Sequence, residues 1–272
     1  MKLIDFDGLF DEKLAIYMEE NKDKYNERQW EDVIPRLYKK FGDTYVAKVK
    51  CTPKEYYAKM TDKELAETLL AHLQEDVPVP EFLCDEIESR DAVEALLPLL
   101  DSEDETTVEY AVNMLLGDRR AYDTYLRLLE EDGPHKDALE DIVDILKADA
   151  DFVKNSALIL YKEGKGKEYA LEILSRVKER EEEIFGILLT EFLQAEELTP
   201  MRASYLAAYG DERALPYLLE RIEDRTIGFV EFQELKYAIE ALGGEYDEPR
   251  DFSDDKDYIA VEAVNAKTEI KS

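Results

Sequence analysis

The chain has 272 residues, 45% of them apolar and 37% charged, with a formal net charge of −31. That mix supplies a continuous core and excludes a disordered polyanion, while so acidic a body repels nucleic-acid phosphates, which need clustered Lys and Arg. No run approaches the roughly 18 apolar residues of a membrane span, and the two cysteines, Cys51 and Cys84, show no CxxC spacing, so they are read as reduced core thiols of a cytoplasmic protein.

The first stretch, LIDFDGLFDEK (3–13), has no apolar leader, so no signal peptide is expected. Its Asp5-x-Asp7-Gly8 imitates the nucleophile motif of haloacid-dehalogenase-type phosphatases. That family follows the glycine with Thr and places the first Asp at the tip of a buried strand. Here Leu9 follows, and only Met1–Ile4 precede. GDRRAYD (117–123) imitates the same family's late magnesium motif, but no strand-helix alternation joins the two. The match is read as coincidence, with a helix expected near 8–20 capped by Asp5 or Asp7. Nor is it a calcium loop, because Leu3 and Leu14 would fall at its ligating ends.

Residues 1–60 hold twelve Lys/Arg and twelve Asp/Glu, so the whole acidic excess lies in 61–272. The same 60 residues hold ten aromatics, including the only Trp, Trp30. Within 36–59 the balance is positive: Arg36, Lys39, Lys40, Lys48, Lys50, Lys54 and Lys59 against Asp43 and Glu55. Tyr38, Phe41, Tyr45, Tyr56 and Tyr57 lie between those cations, an arrangement that imitates a single-strand-binding face. The preferred reading is that the rings are core and the lysines solvated or paired.

Further on, helical periodicity dominates. KELAETLLAHL (63–73) sets Leu65, Leu69 and Leu73 at fourfold spacing, and EDIVDILKA (140–148) puts Ile142, Ile145 and Leu146 on one face with acids opposite. TYVAKVKC (44–51) is the best strand candidate, and YIAVEAV (258–264) is ambiguous between helix and strand. In DSEDE (101–105), Asp104 is expected to cap the following helix, with a weak cation site as the alternative. Thr199 precedes another helix start, and Pro200 suits its first position. EDGPH (131–135) is a clear break. Gly117, Gly164, Gly166, Gly210 and Gly243-Gly244 follow apolar runs where helices stop.

The segments repeat. Ala157, Leu160 and Gly164 recur 46 residues later as Ala203, Leu206 and Gly210, and Gly-Asp-x-Arg-Ala at 117–121 recurs at 210–214, 93 residues on. A fixed period marks a solenoid. Three triplets of helices follow: first helices near 105, 151 and 199, second near 119, 167 and 211, third near 135, 182 and 230. Ala111, Ala121, Ala157, Ala170, Ala203 and Ala214 are the small residues where helices cross closely.

Residues 91–126 and 202–222 resemble HEAT repeats, particularly the short type also found in phycobilin lyases. The matching elements are Ala92, Leu96, Leu97, Leu100 and Asp101, then Val108, Ala111, Leu115 and Gly117, then Asp118, Arg120 and Ala121. Glu109 departs from the Arg usual after the Val. The resemblance spans about 90–245 and implies an all-α, right-handed solenoid of HEAT/armadillo-like repeats. It says almost nothing about activity. His72 and His135, neither followed by Glu, are too few for the iron-binding HEAT enzyme deoxyhypusine hydroxylase, and the acidic repeats argue against a HEAT-like DNA glycosylase.

Residues 1–89 are read as an irregular helical N-terminal cap of four to six helices, 90–245 as the repeat array and 246–272 as a tail or C-terminal cap. The expected function is a non-catalytic protein-interaction scaffold whose acidic surface takes a basic protein or peptide. The expected binding face lies along the second helices (119–131, 167–180, 211–223). The first alternative is an acidic mimic of nucleic acid that blocks a nucleic-acid-binding protein; the second is an enzyme with an unrecognised site. No cofactor, metal, catalytic residue, membrane contact or direct nucleic-acid binding is expected, and the sequence assigns no individual binding residue.

Overall fold

The computed structural model describes residues 3–75 and 77–269, and among them the regular structure is helical, with one isolated bridge between Val46 and Cys51. TYVAKVKC therefore closes a turn rather than a strand. The helices run α1 (Phe6–Glu20), α2 (Glu27–Phe41), α3 (Pro53–Ala58), α4 (Asp62–Gln74), α5 (Glu81–Glu88), α6 (Val93–Leu96), α7 (Glu105–Leu115), α8 (Tyr122–Glu131) and α9 (Lys136–Ala148). They continue with α10 (Ala150–Glu163), α11 (Lys167–Leu174), α12 (Glu182–Gln194), α13 (Thr199–Tyr209), α14 (Leu215–Ile222), α15 (Phe229–Ala241) and α16 (Lys256–Glu269). No described helix is long and apolar enough to cross a membrane. YIAVEAV lies within α16.

The chain divides into two compact units, one of residues up to Tyr125 with Pro134–Asp141, the other of Leu126–Gly133 with Ile142 onward. In the first unit, Asp5 caps α1: its Oδ1 accepts from the Gly8 N–H at 2.7 Å. A Cβ on Gly8 would sit 2.4 Å from the Asp5 carboxylate, so the glycine makes room for the cap. The Asp-x-Asp-Gly sequence is thus a helix start. Rings fill the space behind it. Phe6 meets Tyr56 and Tyr57 edge-on at 5.6 and 5.7 Å, and Tyr38 stacks on Phe82 at 4.5 Å. Both cysteines are free; Cys51 is buried and Cys84 half-buried, and burial pushes the Cys84 thiol up to about 11.

In the second unit α10 packs on α11, α12 on α13, and α13 and α14 on α15. The alanines marked by the repeat, Ala157, Ala170, Ala203 and Ala214, are fully buried, as are Ala111 and Ala121 in the first unit. A methyl is the largest group such close crossings admit.

The Gly-Asp-x-Arg-Ala repeat builds one device twice. Asp118 accepts from the Arg120 N–H and Asp211 from the Arg213 N–H, each at 3.0 Å, opening the 3-10 turns Arg119–Ala121 and Glu212–Ala214. Each arginine folds back onto its own aspartate and also reaches an earlier acid, Arg120 to Asp91 and Arg213 to Glu182. Gly164 and Gly210 end α10 and α13 in the left-handed region at φ 76° and 73°. The end of α7 departs from the pattern, because Leu116 takes the positive φ, 42°, one residue before Gly117.

The connection from α11 to α12 is pinned from two sides. Asp151 on α10 accepts from the Lys178 and Glu179 N–H groups, and Lys154 pairs with Glu179 and Glu181. From α13, the Tyr209 hydroxyl accepts from the Glu181 N–H at 2.7 Å, and Arg180 lies over the Tyr209 ring.

Candidate functional site

The sequence singled out residues that the structure mostly puts to structural use. Asp7 accepts from the Tyr38 hydroxyl at 2.6 Å; burial pushes its carboxyl up, against that hydrogen bond. Among the described residues no strand carries Asp5 or Asp7. His72 is fully buried with Nδ1 against the Val77 carbonyl, and His135 Nε2 lies 3.1 Å from the Ser102 carbonyl. In the 36–59 segment Phe41 and Tyr57 are buried and Tyr38 and Tyr56 half-buried, while Tyr45 is exposed. Lys54 pairs with Asp43 at 2.9 Å. Asp104 does cap α7, accepting from the Thr107 N–H. Thr199 caps nothing: it is the first residue of α13, and its hydroxyl donates back to the Ala195 and Glu196 carbonyls.

On the three segments expected to bind, acids of the first two are mostly ion-paired, whereas in the third Asp211 is the one paired acid among the described residues. Glu130 pairs with Lys165, Glu131 with Arg127, Glu172 with Lys147 and Glu168 with Arg202. A tighter acidic cluster lies on α7 and the start of α9. Glu105 and Glu109, one turn apart on α7, and Asp137 at the start of α9 bring carboxylate oxygens within 4.8 Å of one another. They are the one such acidic trio among the described residues, and Glu105 and Asp137 are exposed. The spacing i, i+4 aligns the two glutamates on one helix face, and like charges at this distance lower the free energy of any cation that joins them.

A second cluster lies wholly within the second unit, where the ends of α11, α12 and α13 line a cleft of about 500 Å³. On α12 the buried stripe reads Ile184, Leu188, Glu191, Phe192, so the helical period carries a carboxylate into the apolar face. On α13 it reads Thr199, Arg202, Ala203, Leu206, and the period carries in a guanidinium. Glu191 accepts from the Tyr161 hydroxyl at 2.6 Å and from Lys167 at 2.9 Å. Burial would raise the Glu191 carboxyl, but those two bonds and nearby Arg202 outweigh it and hold the group below its usual range. Burial and the bond to Glu191 push Tyr161 up to about 12. Arg202 is 4% exposed. Its Nη2 donates to both Glu168 oxygens at 2.7 Å, whereas Nη1 has no hydrogen-bond partner. Sequence reasoning missed this cluster. The available signal was a charge at an apolar position of a stripe, and shifted groups gathered in a cleft mark candidate sites.

Compared with known proteins, the chain matches no family model, no curated protein and no solved structure.

Proposed function

We propose that the protein is a non-catalytic scaffold built from HEAT-like helical repeats as a solenoid, and that it holds a basic protein or peptide. The observation that carries this reading is the Glu105–Glu109–Asp137 trio. Three carboxylates converge there without a basic partner, in a chain whose acids elsewhere are often paired. A Lys or Arg side chain of a partner supplies the missing counter-charge, and the −31 excess steers such a partner from a distance. This reading adds the surface of α7 and the start of α9 to the second-helix face expected from the sequence.

The test is affinity capture on the immobilised full chain at low and moderate salt, with the captured proteins identified by mass spectrometry. The reading expects basic proteins that elute as salt rises and are lost by the E105Q/E109Q/D137N variant. Captured proteins without basic character, or retained equally by the variant, overturn it. Nucleic-acid-binding proteins eluted by competing DNA or RNA would favour mimicry of nucleic acid.

A further inference from the structure

We propose that the cleft between the ends of α11, α12 and α13 is an oxyanion-binding site centred on Arg202, and that Glu168 is its internal stand-in. The claim goes beyond the scaffold reading and does not depend on it.

The first observation is an unmet donor. Arg202 lines the cleft, its side chain is 5% exposed, and Nη1 has no acceptor. A buried guanidinium N–H without a partner is rare, and leaving it so is unfavourable. The second is that two helix starts nearby carry no side-chain cap. The residues before α13 and α11, Leu198 and Gly166, offer no side-chain cap. Thr199, which has the right chemistry, turns its hydroxyl back to the preceding carbonyls. Both helix starts, through Leu198 and Lys167, line the same cleft. A helix start without a side-chain cap, at the positive end of the helix dipole, favours an anion.

The two carboxylates already present differ in how firmly they are held. Glu191 is 10% exposed and fixed by Lys167 and Tyr161. Glu168 is 51% exposed and held by Arg202 Nη2 alone. It can swing into water at small cost. An incoming oxyanion then takes its place on Nη2 and also meets Nη1, making the two-pronged pairing for which the guanidinium fork is suited. Glu196 and Glu197, exposed at the rim, disfavour a dianion, so a carboxylate is the favoured form.

The test titrates sodium acetate and inorganic phosphate, at constant ionic strength, into the wild-type protein and into Glu168→Gln, followed by amide NMR shifts. Glutamine weakens the internal bond to Arg202 without emptying it, so the exchange becomes easier. The expected result is saturable shifts at residues 167–170, 198, 199 and 201–203, with affinity in Glu168→Gln raised by roughly tenfold, the scale of one charge-assisted bond. Tighter acetate identifies a carboxylate ligand, and tighter phosphate a phosphorylated one; either supports the site. Equal affinity in the two proteins, or no saturable shift at these residues with either anion, overturns it. Arg202→Lys should abolish the shifts; should that variant fail to fold, the Glu168→Gln comparison decides alone.

Discussion

Residues 6–88 and residues 150–241 are both helical, yet they fill their interiors with a different balance of side chains. The first stretch packs rings: Phe6, Phe10, Tyr38, Phe41, Tyr57 and Phe82 meet edge-on, tilted or stacked. The second sets buried methyls, at Ala157, Ala170, Ala203 and Ala214, among aliphatic side chains and more widely spaced rings such as Phe192 and Tyr209, and fixes the turn after α13 with the Asp211–Arg213 corner. Rings adapt to many angles, so helices from six to fifteen residues fit side by side without a period. Close methyl contacts tolerate one spacing only, so the same positions must be small in every copy. The sequence period of the second stretch thus accompanies its recurring small buried residues, which the ring-packed stretch lacks.

Five substitutions and one control test that contrast and the turns that frame it. The largest effect is expected for Phe6→Ala, which empties a buried site flanked by Tyr56 and Tyr57; urea unfolding should show a loss of about 3–5 kcal/mol. Ala157→Leu should lose about 1–3 kcal/mol by overpacking, and the same measurement on an exposed alanine such as Ala260 should show almost none.

The corners make a prediction in pH. Hydrogen bonds from the Arg120 side chain and N–H hold Asp118 down at about 2, and Arg213 likewise lowers Asp211. A depressed carboxyl contributes stability above its unfolded value, roughly 3.9, and that contribution fades as pH falls toward about 2. Asp118→Asn should therefore flatten the acid limb of a stability-against-pH curve over that window and leave the neutral limb parallel to wild type. An unchanged acid limb would count against the corner as drawn.

The smallest effect should be a gain. Gly210 meets its positive φ without strain, while Leu116 holds φ 42° with a side chain that is 58% exposed. Leu116→Gly should stabilise by roughly 0.5–1 kcal/mol in thermal unfolding, whereas Gly210→Ala should lose about 1 kcal/mol.

Much of this organisation was legible beforehand. Glycines and capping acids act locally, so starts near 105, 151, 167, 182 and 199 were readable, and the structure has them at 105, 150, 167, 182 and 199. The Asp118 and Asp211 corners announced themselves because five residues repeat as a unit. The cleft did not. Tyr161, Lys167, Glu191 and Arg202 belong to four helices, and no local pattern records that they meet. Thr199 misled for a related reason: its residue type suits a cap, but the bend at 195–198 presents closer carbonyls to its hydroxyl. In TYVAKVKC, alternation suggested a strand, yet no neighbouring strand exists among the described residues to pair with it.

The Tyr209 hydroxyl bears on the protein's lifetime as well as its architecture. The connection it helps to pin contains Arg176, Lys178 and Arg180, all bonds that trypsin-like proteases cut once a chain segment can extend into their cleft. The three side chains are exposed, and the backbone is held in place by α10 and α13 together. Extension of this segment into a protease cleft needs both anchors released, so cleavage there should report the joint opening of α10 and α13 rather than of either helix alone.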